Sequence, residues 1–125
     1  MRWTILTDMI DDWIDSLSSR DARHLVAAFD ALESRGPALG RPLVDRIAGS
    51  HIHNLKELRP PSTGGSEIRV LFVFDAERHA IMLLAGDKAG FFASGPRWAR
   101  WYRKAIPEAE RRFEQYQLSQ RKEAE

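Results

Sequence analysis

The segment from Glu67 to Asp75 constrains the fold most, because it carries the clearest strand pattern in the chain. Its side chains alternate between two faces, with Ile68, Val70, Phe72 and Phe74 on one face and Arg69, Leu71 and Val73 on the other. A polar turn follows it, and Ala80 to Ala85 is then a continuous apolar run with the length of a strand covered on both faces. The pattern predicts two antiparallel strands at the centre of a sheet.

Two further strands are predicted from weaker patterns. Arg2 to Leu6 alternates weakly, and His51 to Arg59 has an imperfect period, because Leu55 and Leu58 would face opposite sides unless a bulge intervenes. Residues 60–65 are rich in proline and glycine and predict the loop that leads into the central strand. Residues 36–50 contain three glycines and two prolines, which predicts a loop with one helical turn at 43–47.

Helical spacing marks three regions. Residues 9–17 form an amphipathic stripe opposite a row of aspartates, and the pattern from Ser18 to Asp21 is a start signal for a second helix that Gly36 ends. Helical character returns over residues 98–105. Pro107 suits the first position of a final helix that runs to about residue 120, before a frayed tail at 121–125.

These elements predict one α+β domain over residues 1–125, with an N-terminal strand, a helical hairpin, an antiparallel sheet and a C-terminal helix. We expect the helices to pack on one face of the sheet. The chain has no cysteine, which excludes disulfides and thiolate nucleophiles. We find no signal pattern and no apolar run long enough for a membrane helix, so we expect a cytoplasmic protein without a membrane partner.

The formal charge is only +1, but bases outnumber acids between residues 41 and 104. In this region Lys56, Arg59, Arg69 and Lys88 fall on successive sheet segments, so we expect them on one side of the sheet, where a phosphodiester could bind. The alternative is that Arg69, enclosed in an apolar strand, forms an ion pair with Glu57 or Glu67. Spacing favours the two interpretations about equally.

Aromatic and basic side chains alternate from Trp98 to Lys104, and such a mixture can stack bases and hold phosphates. The same spacing is typical of a helix stripe that faces the core, and it favours the core for both Trp98 and Trp101. Tyr102 is the aromatic residue that we expect to reach solvent with its hydroxyl. His51 and His53 would share a strand face, but no third ligand has a suitable spacing, so we predict no metal site and no cofactor.

Several segments together resemble the RelE/ParE superfamily of toxins, and within it the HigB-like branch. They are the 36–42 segment Gly-Pro-Ala-Leu-Gly-Arg-Pro, Leu55–Arg59, Ile68–Asp75, Gly86–Lys88, and 101–109 with Trp-Tyr and Ile-Pro-Glu-Ala. The resemblance implies a RelE-like microbial RNase fold and a metal-independent endoribonuclease that cleaves messenger RNA on the translating ribosome. It also implies a cognate helix-turn-helix antitoxin that binds and silences the toxin in a hetero-oligomer.

The resemblance also implies roles for individual residues. Arg69 would contact the scissile phosphate, Lys88 would be the basic residue after the last core strand, and Tyr102 would stack on or orient the substrate. In the reaction a ribose 2′-hydroxyl attacks the adjacent phosphorus, and we predict that Lys56 takes its proton, with His53 in reserve. His53, Arg59, Trp101 and Lys104 complete the predicted substrate-binding set. Two alternatives stay open: a ParE-like inhibitor of DNA gyrase, and a noncatalytic interaction module.

Overall fold

The computed structural model describes residues 2–61, 65–87 and 96–124, with side chains of the last range from residue 99 onward. Within these ranges the strands are β1 (Thr4–Leu6), β2 (Val44–Arg46), β3 (Lys56–Leu58), β4 (Ile68–Phe74) and β5 (His79–Asp87). They form one sheet in the order β1-β5-β4-β3-β2. β1 runs parallel to β5, and every other neighbouring pair is antiparallel. The predicted α+β class and antiparallel sheet are confirmed.

The helices are α1 (Asp11–Asp15), which follows a 3₁₀ turn at Asp8–Ile10, then α2 (Ser19–Arg35) and the long α3 (Pro96–Ala124). The predicted start signal of α2 is confirmed, because the Ser18 side chain accepts a hydrogen bond from the backbone N–H of Asp21. α2 ends at Gly36, whose positive φ of 54° and contact with the Trp3 indole leave no room for a side chain.

Helices cover both faces of the sheet, so the expectation that they pack on one face was wrong. On the face that we call the α2 face, Leu25 and Leu32 pack against Val70 and Phe72. On the opposite face, the α3 face, Trp101, Ala105 and Ala109 pack against Leu71 and Val73. The alternation in β4 explains this arrangement, because both of its faces carry apolar side chains that must leave water.

Three predicted elements differ from the structure. Residues 43–47 contain β2 rather than a helical turn, and the strand predicted over 51–59 is confined to Lys56–Leu58. Pro107 lies inside α3 instead of starting a helix. Its missing N–H removes one hydrogen bond of the helix, but the apolar stripe continues across it from Ala105 to Ala109 and keeps the helix on the sheet. No helix in the described ranges is long and apolar enough to cross a membrane.

A bulge in β5 adds a connection between the elements. Leu71 pairs with Leu84 and Phe72 with Met82, so Leu83 is the extra residue. Its carbonyl oxygen accepts a hydrogen bond of 2.8 Å from Arg112 Nη1 on α3. The same Arg112 nitrogen donates to the carbonyl of Met9, at 3.3 Å, in the 3₁₀ turn. One side chain thus joins three elements.

Candidate functional site

Glu57 is a fully buried carboxylate in the middle of β3. Its side chain lies on the α3 face, since it pairs in register with Leu71 of β4 and Asp45 of β2. The Nε of Arg59 donates to its Oε1 at 2.8 Å, and the Nε of Arg69 lies 3.9 Å from the same oxygen. A buried carboxylate is costly unless cations and donors surround it, so Glu57 draws these side chains to one point.

Arg59 is the more accessible of the two arginines, with 33% of its side chain exposed. Its Nη1 also lies 3.4 Å from Asp45 Oδ2, and Arg41 reaches the other oxygen of that carboxylate at 3.2 Å. The backbone N–H of Arg46 and these two guanidinium groups lower the pKa of Asp45. Burial alone would lower the pKa of Arg59, but its hydrogen bond to Glu57 and the nearby Asp45 raise it, so Arg59 stays charged.

Arg69 is more enclosed, with 12% of its side chain exposed. Its Nη1 donates to the carbonyl of Ile68 at 2.8 Å. The predicted alternative of an ion pair with Glu57 is therefore confirmed. Arg69 lies beside Gly86 of β5 in the register of the two central strands, which places it under the N-terminal part of α3.

Tyr102 extends from α3 to the same carboxylate. Burial, and then its hydrogen bond to Glu57, raise its pKa, which keeps the hydroxyl protonated at neutral pH. Trp101 packs edge-on against the Tyr102 ring, with centroids 4.9 Å apart and planes at 86°. Trp101 is only 7% exposed, so the core position that the spacing favoured is confirmed, and its burial does not support the predicted stacking on a base.

A groove runs from this cluster along α3. Its narrow end, of about 220 Å³, is lined by Glu57, Arg59, Tyr102, Ile47, Ala48 and Ile106. The middle section shares Ala48 and Tyr102 with it, adds Arg103 and His51, and measures about 380 Å³. The wide end, about 740 Å³, shares His51 and adds His53 and Arg111. The groove offers a row of cations to an extended chain, together with the carboxylates of Glu110 and Glu114 at the wide end.

The other wall of the groove is the segment after β2, and Glu110 fixes it to α3. The carboxylate of Glu110 accepts hydrogen bonds from the Ser50 hydroxyl at 2.8 Å and from the His51 backbone N–H at 2.6 Å. The Ser50 hydroxyl in turn accepts the N–H of Ile52 at 3.0 Å. The His51 N–H, and with it the Ser50 hydroxyl, lower the pKa of Glu110.

The structure separates several residues that the sequence had grouped. Lys56 pairs in register with Phe72, a core residue of the α2 face, so it lies across the sheet from Arg69. The expectation that all the basic strand residues share one side was therefore wrong. Neither His51 nor His53 lies in a strand, and both line the wide end of the groove. Lys104 is exposed on α3. Lys88 lies outside the described residues.

Sequence reasoning named Glu57 only as a possible ion-pair partner of Arg69, and it included neither Glu57 nor Arg103 among the site residues. Glu57 carried a usable signal, because an acid inside a strand must be buried with partners if both faces of the sheet are covered. Arg103 was hidden by its mixed aromatic and basic surroundings. In the described ranges, His, Asp and Glu side chains nowhere form a group of three that could hold a metal ion.

Comparison with known proteins gives a consistent result. The family model described as "Phage derived protein Gp49-like (DUF891)" matches residues 12–114. A Mycobacterium tuberculosis protein named "Putative toxin HigB2" is 46% identical over 114 residues, which are 91% of this chain and 54% of the relative. A second protein of that organism, "Putative toxin HigB3", is 44% identical over 116 residues, or 93% of this chain and 94% of the relative. The chain spans about half the length of the first relative and nearly all of the second.

Proposed function

The chain belongs to the Gp49-like family and is HigB-like within it, and on that premise we propose that it is the toxin of a toxin–antitoxin pair and cleaves messenger RNA. The two relatives carry the word toxin in their names, which supports the first part of the proposal. The second part rests on the site. The observation that carries it is the convergence of Arg59, Arg69 and Tyr102 on Glu57, at the narrow end of a groove that Arg103 and Arg111 also line.

The proposed reaction is transesterification within the RNA strand. The 2′-oxygen of one nucleotide forms a bond to the adjacent phosphorus, and the bond from phosphorus to the 5′-oxygen breaks. The products are a 2′,3′-cyclic phosphate and a 5′-hydroxyl. Negative charge grows on the nonbridging oxygens, and Arg59, assisted by Arg69 behind it, neutralises that charge. Loss of one such preorganised donor lowers the rate by about 10²–10³-fold.

The proton transfers are assigned from the groups that line the groove. Glu57 takes the place of Lys56 as the acceptor of the 2′-proton, because Lys56 lies on the other face of the sheet. When Arg59 turns from Glu57 to the phosphate, the Glu57 carboxylate becomes available to accept that proton. Tyr102, which stays protonated, donates a hydrogen bond or stacks on the substrate and does not act as a base. We assign the donation of a proton to the leaving oxygen to Lys88, the basic residue that follows β5 in the sequence.

The groove is open along one side, so additional contacts must hold the RNA in line for attack. We assign that positioning to the translating ribosome, which supplies the message in a fixed path and reduces the entropy cost of alignment. The partner that silences the toxin is a helix-turn-helix antitoxin. Both assignments follow the family resemblance.

The first test is induction of the chain in cells, followed by mapping of transcript ends and measurement of plasmid supercoiling. We expect new 5′-hydroxyl ends in messages, and about 100-fold less cleavage by Arg59→Gln, with a smaller loss for Tyr102→Phe. Arg100→Gln is the matched control, because Arg100 is exposed on α3, the helix that carries Tyr102, and does not line the groove. Intact transcripts together with inhibited supercoiling would exclude RNA cleavage and favour the gyrase inhibitor. Purified chain assayed with and without ribosomes tests the positioning role.

A further inference from the structure

We propose that the α2 face carries a second nucleic-acid contact, in which Arg46 and Lys56 bind a phosphate of a single strand and Phe74 packs against a base. The contact lies across the sheet from the groove that holds Arg59 and Tyr102. It therefore goes beyond the proposed cleavage reaction and does not depend on it.

The first argument is the pairing of two cations in the sheet. Arg46 of β2 lies directly opposite Lys56 of β3 in the antiparallel register, so both side chains leave the sheet on one face. The pairing of Lys56 with Phe72 identifies that face as the α2 face. Like charges at directly opposite positions destabilise a sheet. A bound anion would remove this repulsion.

The second argument is that no carboxylate neutralises these cations in the described part of the chain. Neither side chain forms an ion pair or a side-chain hydrogen bond there, although the nearby Arg41, Arg59 and Arg69 do. Asp45, the neighbour of Arg46, is held on the α3 face by Arg41 and Arg59. The two positive charges thus remain available to a ligand.

The third argument is the cavity that these cations line. It measures about 340 Å³, near the lower end of the roughly 300–1,000 Å³ that is typical of small-molecule sites, and its other lining residues are Pro37, Asn54 and Phe74. Phe74 is fixed by edge-on contacts with Phe72 and Trp3, at centroid distances of 5.2 and 4.9 Å. An immobile aromatic ring beside two cations is the combination that binds single strands, because the ring accepts any base and the cations hold the backbone. An acidic peptide would use the cations alone.

A simpler explanation accounts for only part of this arrangement. Charged side chains on edge strands prevent two sheets from pairing edge to edge, and β2 is an edge strand, so Arg46 alone could serve that purpose. Lys56 belongs to β3, which is paired on both sides, and needs no such protection. Its position above the cavity is better explained by a ligand.

The test measures binding of a 12-nucleotide 2′-O-methyl oligouridine and a matching DNA strand by fluorescence anisotropy at several salt concentrations. The methylated strand has no free 2′-hydroxyl, so the result is independent of whether the chain cleaves RNA. We compare the double variant Arg46→Gln and Lys56→Gln with Arg20→Gln and Arg23→Gln, which removes two exposed charges from α2. Loss of the single phosphate contact should reduce the salt slope by about 0.7 and weaken binding about 5-fold at 0.1 M salt. The control variant should keep the slope of the wild type.

Side-chain shifts of Lys56 and ring shifts of Phe74 on addition of either strand provide a second readout, because these groups lie across the sheet from the other groove. Shifts with RNA alone or with both strands support the contact and identify the sugar that it accepts. Unchanged shifts at these residues, or equal weakening by both double variants, would overturn the proposal. Polyglutamate of equal length that binds as tightly, and loses binding in the Arg46 and Lys56 variant, would overturn the assignment to nucleic acid.

Discussion

Gly86 shows how a single residue fixes the position of the candidate site. A Cβ at this position would lie 2.8 Å from Nε1 and 3.0 Å from Cζ2 of the Trp101 indole. The missing side chain lets α3 approach the sheet closely beside Arg69. Trp101 then supports the Tyr102 ring edge-on, so the distance between Tyr102 and Glu57 depends on a residue that itself carries no chemistry.

Gly86→Ala should lower the free energy of unfolding by about 1–3 kcal/mol, because the added methyl group forces the buried indole or the helix to move. Urea titration of the purified chain measures this change. Gly40→Ala is the matched control, since a Cβ there meets no atom within 4 Å, and it should change the stability by less than about 0.5 kcal/mol. Equal stability of the two variants would show that α3 does not rest on Gly86 as described.

At the scale of elements, the segment between β2 and β3 is held in place by a side chain of α3. This segment, residues 47–55, contains no helix or strand, so its hydrogen bonds to Glu110 determine its position. The lowered pKa of Glu110 means that the folded state favours the ionised carboxylate. This contribution is complete above the usual pKa of 4.5 and disappears as the pH falls through the lowered value.

We expect the backbone amide of His51 to exchange slowly with solvent above about pH 5 and to lose protection on acidification below pH 4.5, as the carboxylate takes up a proton. Hydrogen exchange followed by NMR measures this. Glu110→Gln should reduce the protection at neutral pH and flatten its pH dependence. Glu114→Gln, one turn further along α3, should behave as the wild type, because Glu114 makes no hydrogen bond to this segment within the described ranges. The same pH profile in both variants would contradict the role of Glu110.

The elements that the sequence predicted well are those with strong local signals. β4 follows from strict alternation, β5 from a continuous apolar run and α2 from a capping serine, and each of these signals is contained in a few neighbouring residues. β2 escaped prediction because its three residues lie among glycines and prolines, and only pairing with β3 makes them a strand. The continuation of α3 through Pro107 likewise depends on burial against the sheet rather than on local preference.

At the scale of the whole molecule, Arg112 connects parts of the chain that are far apart in sequence. It binds the carbonyls of Met9 and of the bulged Leu83, and it also lies 3.8 Å from Glu108 on its own helix. Hydrogen bonds from charged donors are worth about 1.5–3 kcal/mol each. The partial exposure of this side chain, at 28%, reduces that value.

Arg112→Met should therefore destabilise the chain by about 1–2 kcal/mol, because it leaves the Leu83 carbonyl of the bulge without its donor. Thermal and urea unfolding measure the loss. Arg111→Met is the control, as Arg111 is exposed and pairs with Glu108 on the same helix, so its removal should cost less than about 0.5 kcal/mol. A smaller loss for Arg112 than for Arg111 would contradict a bridging role.

The candidate site was only partly predictable for a reason at this same scale. Sequence spacing identified Arg59 and Arg69, the family resemblance added Tyr102, and the structure brings all three to Glu57. Sequence spacing could not assign Lys56 to a face of the sheet, because the register of a three-residue strand is set by its partner strands and not by its own pattern. Burial of Glu57 likewise follows from the helix on the second face of the sheet, which the prediction from sequence did not include.

Neighbouring residues of β3 point to opposite faces of the sheet, Lys56 to the α2 face and Glu57 to the α3 face, so their positions are not interchangeable. A slip of β3 by one residue against its partner strands would place the lysine on the α3 face and the glutamate on the α2 face. A slip by two residues would restore the original faces. Insertions between β2 and β3 are therefore tolerable where this irregular segment absorbs them and Lys56 stays paired with Arg46 and Phe72.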